Sequence, residues 1–201
     1  MTSNVLAPSG FGNSRLLTGS APNYATRDAY IAYNYGTKIA YGDPVYLNTS
    51  GNIVLYAAGG TTIHGIFRGC NYLDPSSRRV QWYNYWSAPS NVASTTVVEA
   101  KVDSDPDMVF IAQVSGGPVT QASVGKNIDI LTGTSGAPTY AGMSVCALDA
   151  TTIADTATLP FRIVGLVGEP GFSTGYNPAL ANNLIQVVMN TSDITTRTGQ
   201  A

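Results

Sequence analysis

The chain has 201 residues, enough for one sizeable β domain or two small ones, and its 44% apolar content can bury a core. Only 11% of residues are charged, against roughly 25% in typical soluble domains. The net charge is −2 and Arg78-Arg79 is the only adjacent basic pair, so the clustered Lys and Arg expected of a nucleic-acid binder are missing. No stretch approaches the ~20 apolar residues of a membrane-spanning helix.

Thr, Ser, Asn and Gly carry the polar load in place of charges. These residue types suit turns and strand faces better than helix interiors. A surface with so few charges also repels neighbours weakly, which fits a chain that is buried against a partner.

Residues 1–27 read as an extended N-terminal arm. Gly10, Gly12 and Gly19 interrupt it, Pro8 and Pro22 stiffen it, and Val5, Leu6, Phe11, Leu16 and Leu17 follow no helical period. Such a segment is not expected to bury these side chains by itself. They are therefore assigned to contact with a partner, with Arg15 and Arg27 placed to pair with acidic groups there. The opening residues Met1 to Pro8 also lack the charged and apolar regions of a secretory signal, which leads to the expectation of a protein made and used in a cytoplasm or in something assembled there.

Residues 28–190 form the expected β domain. Residues 29–35 are rich in β formers. Pro44-Val45-Tyr46-Leu47, the turn residues 48–52 and Ile53-Val54-Leu55-Tyr56 read as a hairpin with a longer loop. Further strand-like runs occupy 62–68, 80–86, 95–102, 108–114, 127–131, 143–148, 161–167 and 184–189, and 120–124 could form one helical turn. Turn residues between short runs predict an all-β fold, a single barrel or sandwich with the arm appended. Residues 191–201 read as a polar C-terminal tail. In the run Val80 to Trp86, alternation places Val80, Trp82, Asn84 and Trp86 on one face and Gln81, Tyr83 and Tyr85 on the other. Core packing is the expected role of the Trp face; the competing role is a stacking platform for a sugar or nucleotide.

Cys70 and Cys146 are far apart and carry no metal-ligand spacing. Two small buried apolar side chains are the expectation, in preference to a disulfide. With His64 the only histidine, no zinc site of the usual kinds is expected.

Several motifs occur in a telling order: Tyr41-Gly42-Asp43-Pro44-Val45-Tyr46-Leu47, then Gly51-Asn52-Ile53, then Ile63-His64-Gly65-Ile66-Phe67-Arg68-Gly69. Asp105-Pro106-Asp107-Met108-Val109-Phe110, Val124-Gly125-Lys126-Asn127-Ile128-Asp129-Ile130 and Arg162-Ile163-Val164-Gly165-Leu166-Val167 follow. Over roughly residues 40–190 this succession resembles the decoration (cement) and head structural proteins of tailed bacteriophages. The resemblance implies a non-enzymatic virion protein without cofactor or metal, assembled in the bacterial host cytoplasm. It would sit on the outer capsid surface as a trimer or dimer, bind the major capsid protein and tie neighbouring subunits together, with no nucleic-acid or membrane partner. The motif also has a local physical sense: Gly42 allows a positive φ, Asp43 can bond nearby backbone, and Pro44 is tolerated at a strand's first position.

Two other readings compete. Gly133-Thr134-Ser135-Gly136-Ala137-Pro138 is similar to the nucleophile loop of chymotrypsin-like serine proteases, with His64 ahead of it and Asp103, Asp105 and Asp107 between. Against this, the residues around His64 alternate like a plain strand, the Asp cluster lies on a loop beside Pro106, and a turn of this composition is ordinary here. The third reading is a carbohydrate-binding head or tail fibre module, suggested by the Tyr and Trp content.

Overall fold

The computed structural model describes residues 4–131, 142–168 and 179–196. Among these, twelve strands run in the order β1 (Gly12–Leu16), β2 (Arg27–Ile31), β3 (Pro44–Leu47), β4 (Ile53–Leu55), β5 (Gly65–Asp74), β6 (Arg79–Tyr83), β7 (Val98–Asp103), β8 (Met108–Ser115), β9 (Asn127–Ile130), β10 (Leu148–Ala154), β11 (Phe161–Leu166) and β12 (Leu184–Met189). One 3-10 turn (Gln121–Ser123) and one short helix, α1 (Asp193–Thr196), complete the elements. The fold is all-β, as the spacing of turn residues predicts.

Five strands close on themselves in the order β8-β10-β9-β11-β12, with β12 returning to β8. Alternation along each strand points one set of side chains into this ring. Phe110, Ala112, Val114, Ile128, Ile130, Leu148, Phe161, Ile163, Ile185 and Val187 accordingly form one continuous buried cluster. β1 joins the sheet of this ring at β8, and the other strands form a second sheet, β2-β7-β5-β3-β4, in which β5 is long enough to pair with both β3 and β6 along one edge. Its inner face carries a second core of Ile31, Val45, Phe67, Cys70, Trp86 and Val102. The β3–β4 hairpin is built as the sequence predicts, with Val45 opposite Leu55 and Leu47 opposite Ile53.

The Gly42-Asp43-Pro44 corner joins the two halves. Gly42 has φ +92°, which a residue with a Cβ adopts only at a cost. Its carbonyl accepts the Phe11 N–H at 3.0 Å. The fully buried Asp43 carboxylate accepts the Ala40 N–H at 2.7 Å and the Ser144 hydroxyl at 2.5 Å. Pro44 then opens β3, where its missing N–H removes nothing from the ladder.

Two sequence expectations are corrected at the termini. Residues 11–16 are not part of a free arm: β1 pairs antiparallel with β8, Gly12 opposite Ile111 and Leu16 opposite Met108. Phe11 lies in the ring core at 1% exposure, stacked on Phe161 at 4.5 Å and edge-on to Phe110 at 6.4 Å. Burying a side chain of this size contributes roughly 1.5–3 kcal/mol, and a strand edge nearly a hundred residues downstream supplies the pairing that the segment lacks alone. The start of the supposed polar tail is held too. The Thr191 carbonyl accepts the Ile63 N–H at 3.0 Å, the Asp193 N–H reaches Ile63 O at 3.1 Å, and Ser192 is buried.

Candidate interaction face and pocket

The outer face of the second sheet carries the largest exposed apolar side chains among the described elements. Burial in β6 does not alternate as expected, Arg79 to Trp82 all being exposed, and of the two tryptophans assigned to the core only Trp86 is buried. Val80 and Trp82 point to solvent, 69% and 52% exposed, while Tyr83 turns inward to stack on Tyr72 at 5.0 Å. Trp86 lies beyond the strand and is fully buried, its indole N–H donating to the Tyr35 carbonyl at 2.9 Å. Leu73 sits opposite Val80 across the β5–β6 ladder, and both line a cavity of about 340 Å³ with Val97, which is 67% exposed. Tyr30, Glu99, Asn71 and Trp82 form the next row across four strands.

A β-bulge shapes the other end of this face. Phe67 pairs with Val102 and Gly69 with Lys101, so Arg68 is an extra residue in β5. A bulge re-aims its side chain out of the regular alternation. The guanidinium of Arg68 is thereby buried, donates to the Phe11 carbonyl at 2.8 Å and to Asn13 Oδ1, and lies 5.2 Å from the Tyr41 ring centroid. Asp103, fully buried, is 3.8 Å from it and accepts the Asn13 side-chain N–H at 2.5 Å. The other oxygen, Oδ1, has no well-formed hydrogen bond. Burial pushes the Asp103 carboxyl up, opposed by the Arg68 charge, by Asn13 and by the Asp105 N–H, with the Asp105 charge adding to the rise. Burial also pulls Arg68 down, opposed by Tyr41 and Asp103.

In front of this pair opens a cavity of about 320 Å³ lined by Asn13, Tyr24, Tyr41, Arg68, Trp82 and Asp103, with Lys101 at its side. Gly69, φ +132°, makes room for Trp82, because a Cβ there would run into the six-membered ring of the indole. Lys101 is paired with Asp28 and with Glu99, the latter at 2.6 Å.

The residues assigned from sequence to partner contact divide. Val5, Leu6 and Leu17 are exposed, and Arg27 opens β2 on the surface. The segment bearing Val5 is tied down: Gln113 donates to the Val5 carbonyl at 2.7 Å and accepts the Ala7 N–H at 2.8 Å. Phe11 and Leu16 belong instead to the ring core and its margin, and Arg15 donates to Gln186 at 3.1 Å, so these three serve this chain's own fold. Arg68, Asn13 and Lys101 were not singled out from sequence. The available signal was an arginine inside an otherwise apolar strand, followed by glycine.

His64 is not oriented by the Asp103–Asp107 cluster. Its Nδ1 lies 2.9 Å from Asp193 Oδ2, and Asp193 follows Ser135 in the chain, out of the His-Asp-Ser order of chymotrypsin-like enzymes. Ser135 and its loop lie outside the described residues. Cys70 and Cys146 are free and buried in different cores. Among the described residues, no three His, Cys, Asp or Glu side chains converge to hold a metal, and no helix is long and apolar enough to cross a membrane. Compared with protein-family models, with curated proteins and with solved structures, the chain matches none.

Proposed function

We propose that this chain is a structural protein of a tailed-phage particle that binds the outer capsid surface and bridges capsid subunits as a decoration protein. The observation that supports it best is the cluster of Leu73 and Val80, opposite one another on the β5–β6 ladder, with Val97 just ahead of β7, three exposed apolar side chains around one cavity. Scattered exposed apolar residues carry no message, but a contiguous patch marks a contact surface. The low charge of the chain lowers the desolvation penalty of docking, and Val5 and Leu6, exposed on a segment pinned at Gln113, offer a second contact. The resemblance of the Gly42-Asp43-Pro44-Val45 succession to phage head proteins points to the same role. In this reading the partners are the major capsid protein and sister copies in a dimer or trimer, and the protein has no catalytic turnover.

The test is co-sedimentation with purified shells of the phage that encodes the chain. Wild-type protein is expected to pellet with shells, and Val80→Asp combined with Val97→Asp to remain in the supernatant while retaining its circular dichroism spectrum. Undiminished binding by the double variant would remove this face from the proposal.

A further inference from the structure

We infer that the cavity between Asn13 and Trp82 is a binding site for an uncharged saccharide ring. Trp82 presents about half of its surface to solvent beside the cavity, seated over Gly69. An exposed indole so placed has an apolar face for the C–H side of a pyranose. Tyr24 stands at the same cavity with φ +51°, a backbone conformation rare outside glycine, and its ring is exposed.

Behind the aromatic groups is a rigid polar one. The Asn13 carboxamide donates to Asp103 and accepts from Arg68, so both its ends are fixed by buried charges. Such a buried pair is weak evidence for stability in its own right. Placed behind a cavity it orients the amide, leaving a second N–H and a second lone pair for vicinal hydroxyls. Lys101 and Thr26 line the same cavity.

The charge balance selects the ligand class. Arg68 is countered by Asp103, and Lys101 by two carboxylates, Asp28 and Glu99, so no unmatched positive charge is offered to a phosphate or a nucleotide, and the single carboxylate in excess is held on the Lys101 ammonium. The volume, about 320 Å³, sits at the lower end of the roughly 300–1,000 Å³ of small-ligand sites. This site does not depend on the shell reading. The cavity adjoins the docking cluster, since Val80 and Trp82 are two residues apart on β6, roughly 7 Å at about 3.3 Å per residue, and separate variants at Trp82 and Val97 distinguish the two.

The experiment is ligand-observed saturation-transfer NMR on the full chain, with neutral hexoses, N-acetylhexosamines and their disaccharides as probes. Sodium phosphate, choline and a thymidine oligonucleotide serve as charged controls in parallel fluorescence titrations. At least one neutral saccharide is expected to bind saturably and to shift the emission of Trp82. Trp82→Ala is expected to weaken that binding about tenfold or more, Trp82→Phe by less, and Val97→Ser not at all. Trp86, the only other tryptophan and fully buried, reports that each variant is folded. Absence of binding by every saccharide, saccharide binding unchanged in Trp82→Ala, or Trp82-dependent binding of a charged control alone would each overturn the assignment. Loss of shell binding in Val80→Asp leaves it untouched.

Discussion

The Ser144 hydroxyl donates to the Asp43 carboxylate at 2.5 Å across 101 positions of sequence. Asp43 closes the corner ahead of β3 in the second sheet, and Ser144 lies in the approach to β10 of the ring. The Ser144 oxygen in turn accepts the Cys146 N–H at 2.8 Å. One buried carboxylate thus fixes a tight corner and fastens it to the other half of the molecule.

Asp43→Ala leaves buried donors without an acceptor. It is expected to reduce unfolding free energy by about 2–4 kcal/mol, because hydrogen bonds to charged groups and orphaned buried donors are each worth roughly 1–3 kcal/mol. Ser144→Ala should lose about 1 kcal/mol, and the two effects should not add, since the residues share one network. Urea denaturation of both single variants and the double variant checks this. Additive losses would show that the two residues act separately.

Phe11→Ala is expected to destabilise the protein by about 3–5 kcal/mol, the range for removing a packed aromatic side chain. Deleting residues 1–27 should abolish cooperative unfolding, because β1 and the Phe11–Phe161 stack go with it. Val5→Ser with Leu6→Ser should leave the thermal midpoint within about 2 °C, both side chains being exposed. Scanning calorimetry separates these outcomes, and a normal melt of the deletion variant would return the segment to the status of an arm.

Asp103 gives stability an unusual pH dependence. Its carboxyl is raised above the ordinary value of 3.8 by burial, so the folded state holds this proton more tightly than the unfolded state. The contribution is fully present below that value and is lost as pH rises through the folded pKa, opposite in sign to an ion-paired carboxylate. Asp103→Asn removes the titration. The stability of wild type relative to this variant should fall as pH is raised from about 3 toward neutrality, measured by urea midpoints at several pH values. A relative stability that rises over that range would mean that Arg68 and Asn13 outweigh burial.

Burial pushes the Cys70 thiol up to about 12, and Cys146 is equally enclosed. Neither should react with an aromatic disulfide reagent at pH 8 in the native protein, and two thiols should appear on addition of guanidinium. A rapid native reaction would show that one of the cores opens readily.

Much of the fold is legible in the sequence wherever local chemistry decides it. The turn Asn48 to Asn52 sets the β3–β4 hairpin, and the Gly42-Asp43-Pro44 corner behaves as its residues dictate. What escapes a linear reading depends on distant partners. β1 lacks alternation, and its pairing with β8 and the burial of Phe11 arise only once the ring exists. Alternation in β6 groups Val80 with Trp82 but carries no information on which face is covered. Asn13 and Arg68 meet because of a bulge, and His64 meets Asp193 because Ile63 bridges Ser192 just ahead of α1, none of which leaves a pattern in neighbouring residues. The candidate pocket was therefore legible only as an aromatic run, with its polar half hidden.

Decoration of a capsid requires a defined number of copies on each shell. Quantitative gel densitometry of shells saturated with the purified protein is expected to give a plateau commensurate with the number of capsid subunits. Those shells should also disrupt at a higher temperature than bare ones. A plateau of only a few copies, or no binding at all, would rule out a decoration role.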